Sequence, residues 1–240
     1  NVLVPSDGVY RITVDLANSK YYLQTGPVGA VGLVGAMQAA QWDPPTAIKM
    51  VNFAPNKFIY ITNISQNDEF KFHDGNGWGN SSATLSRWYD KTATDGVVIN
   101  GAGAGGNFKW EGATGPVRAI FDYADINNPR YVLAAATEMR VVGDGILGVP
   151  AWNPGASPNM TYNGNGVWTI TIDLVAGKSI KFLAGNDWGA FDYEDNSGGS
   201  TATGTPRSIK WDGGPDFKTP DTDGTYTITL DEYKQTVTIN

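Results

Sequence analysis

The run Trp168-Thr169-Ile170-Thr171-Ile172-Asp173-Leu174 alternates an apolar residue with Thr or Asp at every step. An extended segment of that kind turns one face to a core and the other to water. Ser179-Ile180-Lys181-Phe182-Leu183 and Thr225-Tyr226-Thr227-Ile228-Thr229-Leu230 keep the same period. Clusters of Gly, Pro, Asn and Asp separate such runs at the short spacings of a sandwich, so the pattern predicts half-buried antiparallel strands. Leu33 to Ala40 is the best helical candidate, but Gly32 and Gly35 and a match to Val141-Val142-Gly143 make it read as a strand.

The alternating pattern occurs twice. Placing Trp42-Asp43-Pro44 over Trp152-Asn153-Pro154 gives an offset of 152 − 42 = 110, which holds without gaps for almost forty positions. It sets Phe58 on Trp168, Ile64 on Leu174, Phe70 on Ile180, Phe72 on Phe182 and Trp78 on Trp188. After Gly79 and Gly189 the copies diverge, then realign where Phe108-Lys109 meets Phe217-Lys218 at 217 − 108 = 109. The divergent stretch therefore reads as loop. A third, partial copy opens the chain, because Asp7-Gly8-Val9-Tyr10-Arg11-Ile12-Thr13-Val14 resembles Asp223-Gly224-Thr225-Tyr226-Thr227-Ile228-Thr229-Leu230. The expected organisation is all-β, with tandem Ig-like antiparallel β-sandwich modules. Residues 1–27 form the closing hairpin of an upstream module plus a linker, 28–135 the first module and 136–240 the second. The short join near Ala134 to Glu138 suggests modules in a fairly fixed relation.

Composition narrows the function classes. A net charge of −7, from 17 Lys+Arg against 24 Asp+Glu, argues against nucleic acid, whose phosphates need a clustered basic surface. With no Cys, thiol nucleophiles and disulfides are excluded, and with one His, triads and zinc-hydrolase arrangements that need more are excluded too. No apolar run of membrane-spanning length is present. The start at Asn1 without a charged, apolar leader suggests a processed or truncated form. Asp221-Thr222-Asp223-Gly224 has the opening of a calcium loop, but Tyr226 occupies the usual glycine position and the following residues read as strand, so a turn is the better reading. No cofactor is expected.

Eight Trp and 11 Tyr in an acidic chain direct attention to the apolar faces of sugar rings, which stack on exposed aromatics while Asn, Asp, Lys and Arg bond the hydroxyls. Trp168 and Phe58 sit at the apolar positions of strands and read as core. Trp152 and Trp188 lie in turn-forming sequence, as do their equivalents Trp42 and Trp78. Loop tryptophans can serve as platforms or fold back as lids on a sandwich end, and the sequence leaves both roles open. The divergent stretches add Tyr193, Arg207 and Lys210 in the second copy and Arg87 and Trp88 in the first, with Arg87-Trp88-Tyr89-Asp90-Lys91 the densest cluster. Their differences would make the two copies bind unlike ligands or with unlike strength. Asp192 with Glu194 or Asp195 could serve a glycosidase only if held across one cleft, and such pairs arise by chance in an acidic chain. His73 reads as an ordinary strand-end residue.

A Val-Gly strand, a Trp-Asn/Asp-Pro turn, an Asn/Gly-Trp-Gly loop and a closing Gly-Thr-Tyr-Thr-Ile-Thr-Leu-Asp hairpin together resemble the SusE/SusF family, surface lipoproteins of starch-utilisation-type systems. The resemblance covers most of the chain. It implies tandem carbohydrate-binding modules without catalysis, held at the outer membrane and cell surface by a lipid anchor absent from this chain. It also implies aromatic platforms, which fall here on Trp152 and Trp188 and on Trp42 and Trp78. The expected partners are an oligosaccharide or polysaccharide and an outer-membrane transporter complex. A structural or protein-interaction module of such a complex, without sugar binding, is the alternative.

Overall fold

A computed structural model describes residues 10–16, 19–25, 31–75, 77–78, 87–92, 97–99, 105–124, 129–211 and 213–240. Among them the protein is nearly all β, with twenty-two strands, two single 3₁₀ turns and no α-helix. Among the described residues no helix is long and apolar enough to cross a membrane. Two compact units emerge: the first comprises Asn1–Thr114 and Ile120–Val132, the second Gly115–Ala119 and Leu133–Asn240.

In the second unit the long central pair is Val167–Leu174 against Gly224–Asp231, antiparallel over eight residues. The alternation seen in the sequence decides the faces: Trp168, Leu174, Ile228 and Leu230 are buried, while Thr171 and Thr227 bond each other through their hydroxyls at the surface. Arg140–Gly143, Ser179–Leu183 and Phe217–Lys218 supply strands on the other side of this core. The short strand Asp192–Asp195 crosses between the layers, its first half pairing with Phe182 and Leu183 and its second with Ile209 and Lys210. The core between them contains Val141, Trp168, Ile180, Phe182, Tyr193, Phe217, Ile228 and Val237. Burying side chains of this size contributes about 1.5–3 kcal/mol each.

The first unit repeats the scheme. Val31–Gly35 pairs with Glu69–Asp74, and Phe108–Lys109 returns to the same strand. Lys57–Ile64 pairs with Val51–Ala54 in a second sheet. Stacked and edge-on rings of Phe58, Phe72, Tyr89, Phe108, Phe121 and Tyr123 form its core. The region of the best helical candidate is a strand that ends at Gly35 and continues in turns. Gly35 and its counterpart Gly143 are required by close approach: a Cβ would lie 2.3 Å from the Glu69 carbonyl oxygen in one and 2.1 Å from that of Ser179 in the other.

The divergent stretch is not all loop. Arg87–Thr92 is a strand pairing with Phe72, His73 and Asp74, as Asp192–Asp195 pairs with Phe182 and Leu183. Tyr89 and Tyr193 therefore occupy one position, at an offset of 193 − 89 = 104, because the second copy has the shorter connection. The opening hairpin, Tyr10–Asp15 with Lys20–Thr25, is a two-stranded sheet whose Ile12, Val14, Leu16 and Tyr21 stay exposed. The join between the linker and the first module, residues 26–30, lies outside the described residues.

Candidate functional site

Each unit builds the same turn. Trp42 and Trp152 hold positive φ angles of 61° and 54°, a region a bulky side chain enters at a cost of about 1–2 kcal/mol. Pro44 and Pro154 then open a single 3₁₀ turn, closed by Ala47 N–H to Pro44 O and Ser157 N–H to Pro154 O. The braces differ. In the first unit Gln38 accepts from Gly35 N–H and donates to the Asp43 carbonyl and Thr46 hydroxyl. In the second, Asn153 accepts from Ala156 N–H, while Arg140 donates to the Ser157 carbonyl at 2.8 Å. Unrelated side chains thus maintain one strained backbone shape, and the shape puts an indole beside the Trp-Gly loop.

There a second indole meets it. The rings of Trp152 and Trp188 lie 6.5 Å apart at 31°, those of Trp42 and Trp78 6.4 Å apart at 42°. Trp188 is 54% exposed and Trp78 39%, with the turn tryptophans half-buried. Each unit thus sets two inclined, partly exposed indoles side by side. In the first unit Trp78 Nε1 donates to the Trp42 carbonyl at 2.9 Å, which ties the two together.

The strands beneath each pair carry a cross-strand row outside the core row. In the first unit it is Lys49, Gly32, His73 and Trp88; in the second, Asn159, Arg140, Leu183 and Asp192. His73 is fully buried and its Nε2 donates to Gly77 O at 2.8 Å, leaving Nδ1 without a partner. Burial pushes its pKa below the ordinary value, the Gly77 carbonyl partly restores it, and Lys49 lowers it further. Asp192 accepts from Lys181 Nζ at 2.5 Å, and Glu194 lies 3.4 Å from the same nitrogen. Burial alone would lower the Lys181 pKa, but those two carboxylates more than offset it and raise it.

Several residues expected at a surface site stand elsewhere. Tyr193 is wholly within the core, because the register with Phe182 puts it on the inward row, and its hydroxyl donates to Glu232 at 2.7 Å. Its ring can stack on no sugar. Arg207 is also buried: Nε and Nη2 donate to the Ala202 carbonyl and Nη1 to that of Lys218, so the guanidinium holds a loop in place. Lys210 is half-buried opposite Glu194. Trp88 joins the first pair, 5.7 Å from Trp78. The side chain of Arg87 lies outside the described residues.

Three of the acidic groups are occupied locally. Asp195 accepts from the Ser197 and Gly199 N–H groups, Asp221 from Thr201, and Asp223 from Ala176 N–H. Among the described residues no three His, Asp or Glu converge as a metal site. Two participants go beyond the sequence reading: Arg140, which no motif singles out, and His73, which reads there as an ordinary strand-end residue. Period two places His73 on the outer face with Lys71, but nothing in the sequence tells that Trp78 folds over it.

The chain matches no protein-family model. No curated protein matches it. Among solved structures it is similar to SusF from Bacteroides thetaiotaomicron, with 19% identity and a TM-score of 0.37 over 90% of this chain and 50% of that one. The chain spans about half the length of that protein.

Proposed function

We propose that the chain holds a glycan and does not cleave one, each unit stacking sugar rings on its tryptophan pair at a bacterial cell surface, in the service of an outer-membrane uptake system. The observation that carries this reading is the duplicated turn: a strained backbone held by different braces delivers the same half-buried indole beside the same exposed one. A core-packing role would need neither the strain nor the exposure. Covering one indole face removes on the order of 80 Å² of apolar surface from water, worth about 2 kcal/mol or roughly thirtyfold in affinity. Asn186 and Asp187, exposed beside Trp188, are the nearest polar residues in sequence for the sugar hydroxyls.

A glycan array followed by calorimetry on the full chain tests it. Trp152→Ala and Trp188→Ala are expected to weaken oligosaccharide binding while leaving thermal unfolding nearly unchanged. A large fall in melting temperature would mark them as packing residues. No binding across the array, together with capture of an outer-membrane protein from solubilised membranes, would favour the protein-interaction reading instead.

A further inference from the structure

In the first unit the ring of Trp78 stands edge-on to two others, His73 at 5.0 Å and 80° and Trp88 at 5.7 Å and 72°. Its Nε1 donates to Trp42 O, and the residue before it is tied down where His73 Nε2 donates to Gly77 O. His73 and Trp88 are cross-strand partners, so the two rings form one floor. The second unit has no such floor. Leu183 and Asp192 hold the matched positions, and Asp192 is engaged by Lys181. Among the described residues Trp188 makes a ring contact with Trp152 alone and no hydrogen bond through its indole nitrogen. Exposure follows the same order, 39% for Trp78 against 54% for Trp188. An indole fixed in advance loses less freedom when a ligand covers it, and tolerates fewer ligand shapes.

We infer that His73 and Trp88 are positioning residues that fix Trp78 before a ligand arrives, making the first site the rigid, selective one and the second the adaptable one. The inference rests on the stacking reading of the two tryptophan pairs. Trp88 acts through Trp78, by edge-on contact, and not by touching sugar.

The test uses the full chain labelled with fluorotryptophan, with Trp188→Ala silencing the second site. The probes are maltoheptaose, cellohexaose, xylohexaose and mannohexaose. Trp88→Ala should weaken binding about fivefold, as loss of an edge-to-face contact and its preorganisation implies, and narrow the spread of affinities among the probes. It should also shift and broaden the fluorine resonance of Trp78, assigned by its disappearance in Trp78→Phe. Trp88→Phe, which keeps an edge-on ring, should restore both, and His73→Ala should reproduce the broadening. Weaker binding with an unmoved Trp78 resonance would make Trp88 a direct contact and overturn the inference, as would unchanged binding or a loss that Trp88→Phe fails to restore. If no probe binds the parent chain, or Trp78→Ala leaves binding intact, the stacking reading fails by itself. The fluorine resonance still decides whether the floor holds Trp78.

Discussion

Where the second unit has Glu232, the first has Tyr123: both donate their backbone N–H to matched carbonyls, Gly166 and Asn56, and both follow an Asp that caps the residue two along. Around Tyr123 the neighbours are rings, Phe58 stacked at 5.7 Å and Tyr89 at 6.0 Å. Around Glu232 the matched Trp168 and Tyr193 have become donors, at 2.6 and 2.7 Å, and the wholly buried Arg118 completes the carboxylate's bonds. Outside the core the exchange continues: the paired positions that His73 and Trp88 hold in the first unit are held by Leu183 and Asp192 in the second. At both places the first unit uses aromatic packing and the second has a carboxylate. A β-sandwich scaffold fixes where side chains point, and leaves open which chemistry fills each position.

Breaking the ionic hub should produce the largest effect. Burial alone would lower the Arg118 pKa, yet Glu232 outweighs it and raises it, so the guanidinium stays charged in the interior. Glu232→Ala leaves that buried charge without a counter-charge and should destabilise the second unit by about 3–5 kcal/mol, read as a shift of its unfolding transition to lower denaturant. Arg118→Leu with Glu232→Leu should recover part of this, not all, because Trp168 Nε1 and Tyr193 OH remain unsatisfied. Tyr123→Phe in the first unit, where packing dominates, should cost far less. Equal costs in the two units would remove the contrast.

The strained turns offer a test that needs no ligand. At a positive φ an alanine is penalised and a glycine is not, so Trp152→Gly and Trp42→Gly should each be more stable than the corresponding Ala variant, by about 1 kcal/mol. Both should lose sugar binding alike. Ala exceeding Gly at either turn would mean that the backbone relaxes there and that the strain is not maintained by the fold.

Acid should separate the units further. His73 is the chain's single histidine and belongs to the first unit. Its pKa is lowered on folding, by burial first, so its stabilising contribution is complete above the ordinary value of 6.5 and is lost as the pH falls through the lower folded value. Protonation would put a charge on a buried ring, with Lys49 nearby on the same row. The first unit's melting temperature should therefore drop below about pH 6.5, and His73→Gln should flatten that drop. An acid response of equal size in the variant would assign it to other groups. Asp122, whose pKa the Ala124 N–H, Lys57 and Arg130 together lower despite burial, adds a loss only below the ordinary carboxylate range.

These residues mark how far the sequence could be read. The strands and their faces were legible because alternation at period two survives in every long run, and the constant offset carried one copy's reading to the other. The matched turns were visible as Trp-Asp-Pro and Trp-Asn-Pro, whereas the contact between Trp152 and Trp188 depends on a loop returning across the sheet, which no local pattern encodes. Tyr193 was misread because its strand is four residues long and lies where the offset fails, so its inward register emerges only from pairing with Phe182. Arg207 looked available because Arg usually stands in water. Its Nε, Nη1 and Nη2 are instead spent on the Ala202 and Lys218 carbonyls, a local demand that composition does not reveal.

The smallest effect should come from Glu194. Its matched residue in the first unit, Asp90, pairs directly with Lys71, but in the second unit Asp192 takes the nearer place on Lys181 and leaves Glu194 Oε2 buried without a partner. Burial, and then the Asp192 charge, raise the Glu194 pKa, although Lys181 pulls the other way. An acid raised on folding contributes stability that is complete below its ordinary value of 4.5 and lost as the pH rises through the folded value, so at neutral pH Glu194 works against the fold. Glu194→Gln should stabilise the second unit at pH 7 by up to about 1 kcal/mol and have no benefit at pH 4, as measured by denaturant midpoints. Asp90→Asn in the first unit should destabilise at pH 7, since it removes the partner of Lys71. The same sign in both units would mean that Lys181 serves Glu194 as fully as Lys71 serves Asp90, and that the added carboxylate of Asp192 is the one left over.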